Sequence, residues 1–220
     1  MTVVVETHAD WLFLSKPAGL PVFPRHDGTG SCLLDALREE VPEQAAINWP
    51  DGFAGGIVHR LDVWTSGLVV AARSLDALEE ARELFSSGSL RKRYVFLTNR
   101  SVRWARNVVD HPLAHAPKDK RKMVWKRGRH TPHRGRWYPA ATRFEHLDRH
   151  GRYDLWGATI STGVMHQIRL HAASCGLALL GDRLYGGTGV PARRFYLHAC
   201  RIDGWPTPTP DLPIPADWPR

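Results

Sequence analysis

The apolar and polar positions along this chain mark out most of its regular elements. Val3-Val4-Val5 and Trp11-Leu12-Phe13-Leu14 are short apolar runs either side of His8-Ala9-Asp10, the pattern of two strands joined by a turn, followed by a loop from Pro17 to Pro24. Ser31 stands ahead of Leu33, Leu34, Leu37 and Val41, a helical spacing that Ser31 can cap and Pro42 ends. Residues 43–56 carry no clear period and are expected to be irregular. Gly67 to Ala72 is a continuous run of strand length. Ser74 then caps a second helix with Leu75, Leu78, Ala81 and Phe85 on one face, acids Asp76, Glu79 and Glu80 early, and Gly88 near its end. Beyond it, Tyr94, Phe96 and Thr98 alternate with Val95 and Leu97 as a strand, and residues 140–147 and 152–160 can pair through a turn at Asp148 to Gly151. Met165 to Cys175, closed by Gly176, reads as a helix on which Ile168 and Ala172 mark the buried side, with His166 and Arg169 on a neighbouring face. Pro206, Pro208, Pro210, Pro213, Pro215 and Pro219 keep the last segment extended and bar it from a central strand. With no internal repeat and no linker, the pattern predicts a single mostly antiparallel α+β domain over residues 1–220, with 204–220 as its Pro-rich C-terminal segment.

Composition narrows this picture. A chain of 220 residues can bury a sizeable core, and it has no apolar run long enough to cross a membrane. Glu6, His8 and Asp10 break the charged-then-apolar order of a signal peptide, so a cytoplasmic location is expected. Cys32, Cys175 and Cys200 are odd in number, widely spaced and without a C-x-x-C pair; they read as buried thiols. The net charge is +8, and its distribution is more telling than its size. Between Arg100 and Arg136 there are 12 Lys or Arg against two acids, Asp110 and Asp119, a local +10, so the rest of the chain sums to −2. Trp104, Trp125, Trp137 and Tyr138 interleave with these cations, the combination that neutralises phosphates and stacks bases. A solvated basic loop with its aromatics turned into the core is the plainer alternative.

The chemistry concentrates in Gly55-Gly56-Ile57-Val58-His59-Arg60-Leu61-Asp62, followed by Thr65-Ser66-Gly67 and the apolar run. A lone carboxylate stands there among Arg, His and hydroxyl groups, beside glycines that allow close backbone approach. On these residues the chain resembles the RluA-type RNA pseudouridine synthases, whose motif is HRLD-x-x-TSG. Lys16-Pro17-Ala18-Gly19-Leu20-Pro21-Val22, Lys92-Arg93-Tyr94, His166-Gln167-Ile168-Arg169-Leu170-His171, Gly181-Asp182-Arg183-Leu184-Tyr185-Gly186 and Leu197-His198-Ala199 follow the same family in order. The resemblance implies an extended, mostly antiparallel sheet with helices on its flanks and an RNA-binding cleft. It also implies isomerisation of a specific uridine in ribosomal or transfer RNA.

That reaction breaks the bond from uracil nitrogen to the anomeric carbon, turns the base and rejoins it through carbon, so it needs a nucleophile and no oxidant. By the resemblance Asp62 is that nucleophile, Arg169 sits against the aspartate and favours its ionised form, and Tyr94 stacks on the uracil and serves the proton shift. Arg60 resembles the arginine that contacts RNA around a flipped nucleotide, with His59, Lys92 and His166 in support. Lys118, Lys120, Arg121 and Lys122 are the candidate backbone contacts of the basic segment. Lys16 and Asp182 read as structural. His111, His115, His130 and His133 have spacings that suit a metal on helices, but Pro112, Pro132 and the surrounding positive charge oppose it. No metal and no cofactor are therefore expected, and RNA is the expected partner of a monomeric enzyme without an obligatory protein partner. The alternative is a non-catalytic RNA-binding or RNA-folding protein on the same fold. Two departures bear on substrate choice: Val63-Trp64 stands where the family commonly has a basic and an acidic residue, and Val164-Met165 where Arg and a hydroxyl residue usually follow Gly. The HRLD motif begins after 58 residues that already resemble the catalytic domain, so no separate N-terminal RNA-binding domain is expected.

Overall fold

The computed structural model describes residues 2–25, 28–188 and 194–220. In chain order the elements are β1 (Val4–Thr7), β2 (Trp11–Lys16), α1 (Leu33–Glu40), α2 (Glu43–Ala46), a 3₁₀ turn at Ala54–Gly56, β3 (Ser66–Ala72), α3 (Leu75–Ser87), β4 (Arg91–Thr98), β5 (Arg106–Val109), β6 (Leu113–His115), β7 (Met123–Trp125), β8 (Arg134–Tyr138), β9 (Thr142–His150), β10 (Tyr153–Ile160), α4 (Gln167–Ser174) and β11 (Leu197–Asp203). They belong to the α+β class, with a large, mostly antiparallel sheet and few helices. The chain forms two compact units: the first runs up to Leu90 and includes His198–Pro213, and the second comprises Arg91–Leu197 and Ile214–Arg220.

In the first unit the strand order is β1-β2-β3-β11. β2 pairs antiparallel with β3 from Trp11↔Ala72 to Lys16↔Gly67, whereas β3 and β11 run parallel, with Ser66 opposite His198 and Gly67 opposite Ala199. Every residue of β3 is buried, which is why the segment reads as a continuous apolar run with no alternation. Trp11, Phe13, Leu68, Val70 and Ala72 pack with Ala77, Leu78 and Ala81 of α3 and with Ile202 and Trp205. Helix α3 is capped as expected: the Ser74 hydroxyl accepts from the Ala77 N–H at 3.1 Å, and Gly88 ends it in the left-handed region at φ 69°. Helix α1 is capped by Cys32 and not by Ser31, because the Cys32 N–H donates to Asp35 Oδ2 at 3.0 Å and its thiol donates to the same oxygen at 3.1 Å. The stretch 43–56 is also more ordered than its sequence implied. It holds α2 and the 3₁₀ turn, and Gln44 Nε2 donates to the Ala72 carbonyl at 3.0 Å.

In the second unit β4, β10, β9 and β5 lie side by side, all antiparallel. The expected β9–β10 hairpin is present, and β9 extends to His150. Phe96, Phe144, Trp156, Ala158 and Ile160 pack with Ile168, Ala172 and Leu177 to form its core. The basic segment is not a loop. It contributes β5 and then a second, three-stranded sheet ordered β7-β6-β8, whose strands of three to five residues are too short to show a period. Helix α4 departs from the expected amphipathic pattern, since Gln167 through Ala172 are all buried. Of the three thiols, Cys32 is buried, while Cys175 and Cys200 are only partly so. Among the described residues no helix is long and apolar enough to cross a membrane.

Candidate active site

Asp62 opens a four-residue turn in the first unit. The Thr65 N–H donates to the Asp62 carbonyl at 3.0 Å, which leaves Val63 and Trp64 at the centre of the turn. A single buried side chain braces this turn from behind. Lys16 is fully buried, and its ammonium donates to the carbonyls of Pro17 at 2.9 Å, Leu20 at 2.8 Å and Val63 at 3.0 Å. Burial lowers the Lys16 ammonium to about 8, and the Asp62 charge partly restores it. The Gly19 N–H adds a bond to the Val63 carbonyl at 2.8 Å. The centre of the Asp62 turn is thus fixed, through the Val63 carbonyl, to Lys16 at the end of β2 and to Gly19 in the loop after it, and the carboxylate is half-buried.

The Thr65-Ser66-Gly67 motif has a local physical basis. Thr65 is buried, and the Ser66 hydroxyl shares a 2.9 Å hydrogen bond with His198 Nδ1. Gly67 has φ 117°, and a Cβ there would lie 2.2 Å from the Ala199 carbonyl oxygen, so only glycine lets β11 pair at this point. His59 also serves the frame. Its Nε2 accepts from the Val70 N–H at 3.1 Å, and its ring lies 5.1 Å from that of Phe85. Arg60, next in sequence, is exposed.

The second unit holds Lys92, Tyr94, His166 and Arg169. Tyr94 is half-buried on β4, opposite Ala158, and packs against the core that contains Phe96. Lys92, two residues earlier, is buried, and burial lowers its ammonium to about 8. Arg169 is 6% exposed. Its Nε donates to Asp182 Oδ2 at 2.7 Å and its Nη2 to Oδ1 at 3.0 Å, while its guanidinium carbon lies 4.1 Å from the Phe195 ring centre and 5.2 Å from that of Tyr185. The bidentate pair and the two rings fix the guanidinium plane. His166 enters α4 with φ 57°, the one positive value outside glycine among the described residues, and its Nδ1 shares a 2.8 Å hydrogen bond with the Tyr185 hydroxyl. A left-handed conformation at a histidine costs about 1 kcal/mol and is held here by that bond.

Gln167 and His171 were assigned no role from their sequence, yet both anchor α4. Gln167 Oε1 accepts from the Thr162 hydroxyl at 2.8 Å and the Val164 N–H at 3.2 Å, and its Nε2 donates to the Ala141 carbonyl at 2.9 Å. His171 bridges the Thr142 hydroxyl and the His111 carbonyl, each at 2.9 Å, and burial lowers its basicity. The signal was present: a helix that places polar groups at 167, 169 and 171 has no apolar stripe and must satisfy those groups inside the protein.

The basic segment presents an ordered hairpin. Between β6 and β7 the Ala116 N–H donates to the Lys122 carbonyl at 2.9 Å, the Lys122 N–H to the Asp119 carbonyl at 3.0 Å, and the Arg121 N–H to Asp119 Oδ1 at 2.9 Å. Lys118, Lys120 and Arg121 are exposed around this turn and Lys122 is half-buried. The aromatics serve mainly as supports. Trp104 packs edge-on against Trp156 at 5.0 Å, Trp125 lies beneath Arg127, and Tyr138 beneath Arg136 at 4.8 Å. His115 and His133 are likewise engaged, with Tyr138 at 6.4 Å and Trp137 at 4.3 Å. Among the described residues no three His, Cys, Asp or Glu side chains are grouped to hold a metal ion.

The chain as a whole is similar to known proteins. The sequence model of the family described as RNA pseudouridylate synthase matches residues 10–174, which include the Asp62 turn, Tyr94 and Arg169. The chain belongs to that family, whose members are isomerases acting on RNA. It is 30% identical over 200 residues to an uncharacterized RNA pseudouridine synthase of Haemophilus influenzae, covering 91% of this chain and 80% of that protein. It is 29% identical to ribosomal large subunit pseudouridine synthase D of Nitrosomonas europaea, covering 91% of this chain but 60% of that one. An RNA pseudouridine synthase of Aquifex aeolicus is covered over 55% of its length, at 33% identity. Among solved structures, human RNA pseudouridylate synthase domain containing 1 superposes with a TM-score of 0.71 at 23% identity, over 91% of this chain and 77% of that chain, which establishes the fold.

Proposed function

We propose that this protein isomerises a specific uridine of RNA to pseudouridine, with Asp62 as nucleophile and with Tyr94 and Arg169 serving the chemistry. The observation that carries the reading is the Asp62 turn, a half-buried carboxylate whose backbone is braced by Lys16 and Gly19 inside the span matched by the family. A carboxylate so held meets a substrate without reorganising its own backbone. The overall change breaks the uracil N1 bond to the anomeric carbon, forms the carbon–carbon bond from uracil C5, and moves the C5 proton away as N1 gains one; nothing is oxidised or reduced. A phenol such as that of Tyr94 suits the proton transfer at C5. Ribosomal RNA is the first substrate to test, because relatives in Nitrosomonas europaea and Xanthomonas campestris carry the name ribosomal large subunit pseudouridine synthase D.

The cations of the β6–β7 hairpin, Lys118, Lys120, Arg121 and Lys122, are read as contacts to the RNA backbone, and exposed Arg60 as a further RNA contact, with His59, Lys92 and His166 in support. Replacing the four hairpin cations with Ala is expected to weaken RNA binding and flatten the dependence of log affinity on log salt by up to about four charges' worth. Turnover at saturating RNA should fall less than affinity.

The decisive experiment is pseudouridine mapping by chemical labelling and sequencing in cells with and without the gene, repeated with Asp62→Asn. The amide keeps the shape and loses the nucleophile, so the mapped site should vanish while RNA affinity stays within a few-fold. Residual turnover above roughly a tenth of wild type would remove Asp62 from the nucleophile's role. The same comparison separates an enzyme from an RNA-binding protein on this fold, for which no site would depend on Asp62.

A further inference from the structure

Trp64 is one of the few large apolar side chains left open, at 39% exposure, and it occupies the third position of the turn that Asp62 begins. Its placement is built. The turn is closed by the Thr65-to-Asp62 bond, and the Val63 carbonyl is gripped by both Lys16 Nζ and the Gly19 N–H. The indole lies over Gly19, where a Cβ would approach Cζ3 to 3.0 Å and Cε3 and Cη2 to 3.6 Å; Gly19 has φ 90° and no side chain to compete for that surface. The indole thus stands at a solvated turn, seated on bare backbone and two residues from the candidate nucleophile. Burial supplies no reason for its exposure, since neighbouring Thr65 and Ser66 are buried.

On the reading of Asp62 as an RNA-isomerising nucleophile, we infer that Trp64 is a stacking platform for a nucleobase adjacent to the target uridine and sets which sequence contexts the enzyme accepts. Any base offers a π-face, and a rigid indole discriminates by stacking strength and by backbone shape. Val63 and Trp64 carry no charge, so a contact made by the indole is an uncharged one. Its contribution should therefore be independent of salt, unlike that of the β6–β7 hairpin.

The test uses the full-length protein and a stem-loop RNA carrying the mapped uridine. A set of versions has one flanking nucleotide at a time made abasic. Trp64→Ala and Trp64→Leu are expected to lower kcat/KM on intact RNA roughly ten- to a hundredfold, and Trp64→Phe less than about threefold. Leu keeps apolar cover on Gly19, so its loss reports the missing π-face even where Ala perturbs the turn. At one flanking position the abasic RNA should already carry the loss, and Trp64→Leu should add less than about twofold there. Fully additive losses at every position, or a Trp64→Leu protein within about twofold of wild type on intact RNA, would overturn the platform while leaving the reaction assigned. Absence of pseudouridine formation by the wild-type protein would instead overturn the reading of Asp62, and the platform with it.

Discussion

Each unit buries a cation beside its candidate chemistry, and the two are stabilised in different ways. Lys16 in the first unit donates to three backbone carbonyls, whereas Arg169 in the second donates to both oxygens of Asp182 and lies between the rings of Phe195 and Tyr185. The carbonyl cage fixes main chain: one ammonium ties Pro17, Leu20 and Val63 together and so sets the Asp62 turn. The carboxylate clamp fixes a side chain, the plane of the guanidinium. A Lys bonded to carbonyls and lowered by burial also remains titratable, and its level near 8 lies within reach of ordinary buffers, whereas an arginine stays charged throughout.

The sharpest way to break this contrast is at Asp182. Its side chain is 1% exposed and that of Arg169 is 7% exposed, so Asp182→Ala leaves a buried guanidinium without its bidentate partner. Removing one member of such a pair costs about 3–5 kcal/mol. Urea unfolding should show the midpoint falling by that equivalent with an unchanged slope. A loss under about 1 kcal/mol would mean that the rings, and not the carboxylate, hold Arg169.

A second comparison sets His198 against His171, one buried histidine in each unit, each bonded to a hydroxyl, Ser66 or Thr142. Burial lowers both, His198 to about 4. The unfolded chain takes up a proton near its ordinary value of 6.5, while the folded protein resists until about 4. Stability is therefore fully present above pH 6.5 and is lost as pH falls from there through about 4, by about 3 kcal/mol for His198. His198→Gln, which titrates nowhere in this range, should lose less stability than wild type over that interval. His171→Gln should act in the same direction. Parallel curves for wild type and His198→Gln would show that His198 is not held neutral.

Much of this arrangement was legible in the chain, and what escaped did so for identifiable reasons. β2 and β3 follow from apolar runs, α3 from its apolar face between Ser74 and Gly88, and the β9–β10 hairpin from its turn at Asp148 to Gly151. The candidate residues Asp62, Tyr94 and Arg169 came from ordered motifs, with no periodicity needed. The three-stranded sheet of β6, β7 and β8 leaves no pattern to read, because strands of three to five residues are too short to show a period, and β6 and β7 are joined by a turn held by Asp119. Helix α4 and its buried Ile168 and Ala172 were legible, but the burial of its polar residues was not, because they are bonded inside the protein, which reverses the usual meaning of polarity on a helix. The bonds from Lys16 to the carbonyls of Leu20 and Val63 were also hidden, since contacts to main chain leave no complementary residue type to find.

The smallest predicted effect sharpens the original contrast. Lys16→Met keeps the apolar stem and removes three donors, and it also spares the fold a buried charge; the balance at neutral pH is a loss of about 1–2 kcal/mol. What distinguishes a carbonyl cage from a carboxylate clamp is the trend with pH. Folded wild type releases the Lys16 proton at about 8, while the unfolded chain keeps it to 10.5, so wild-type folding becomes more favourable as pH rises through that window and less so as pH falls back through about 8. Lys92, also lowered to about 8, contributes the same slope to both proteins and drops out of the difference. The gap between wild type and Lys16→Met should therefore widen from neutral pH to roughly pH 10, measured as the shift in urea midpoints. The gap between wild type and Asp182→Ala should stay level across the same range, because Arg169 does not titrate there. A Lys16 gap that stays constant or narrows would mean that the three carbonyls and the Asp62 charge stabilise the ammonium at least as much as burial opposes it. The brace behind Asp62 would then be a permanently charged one.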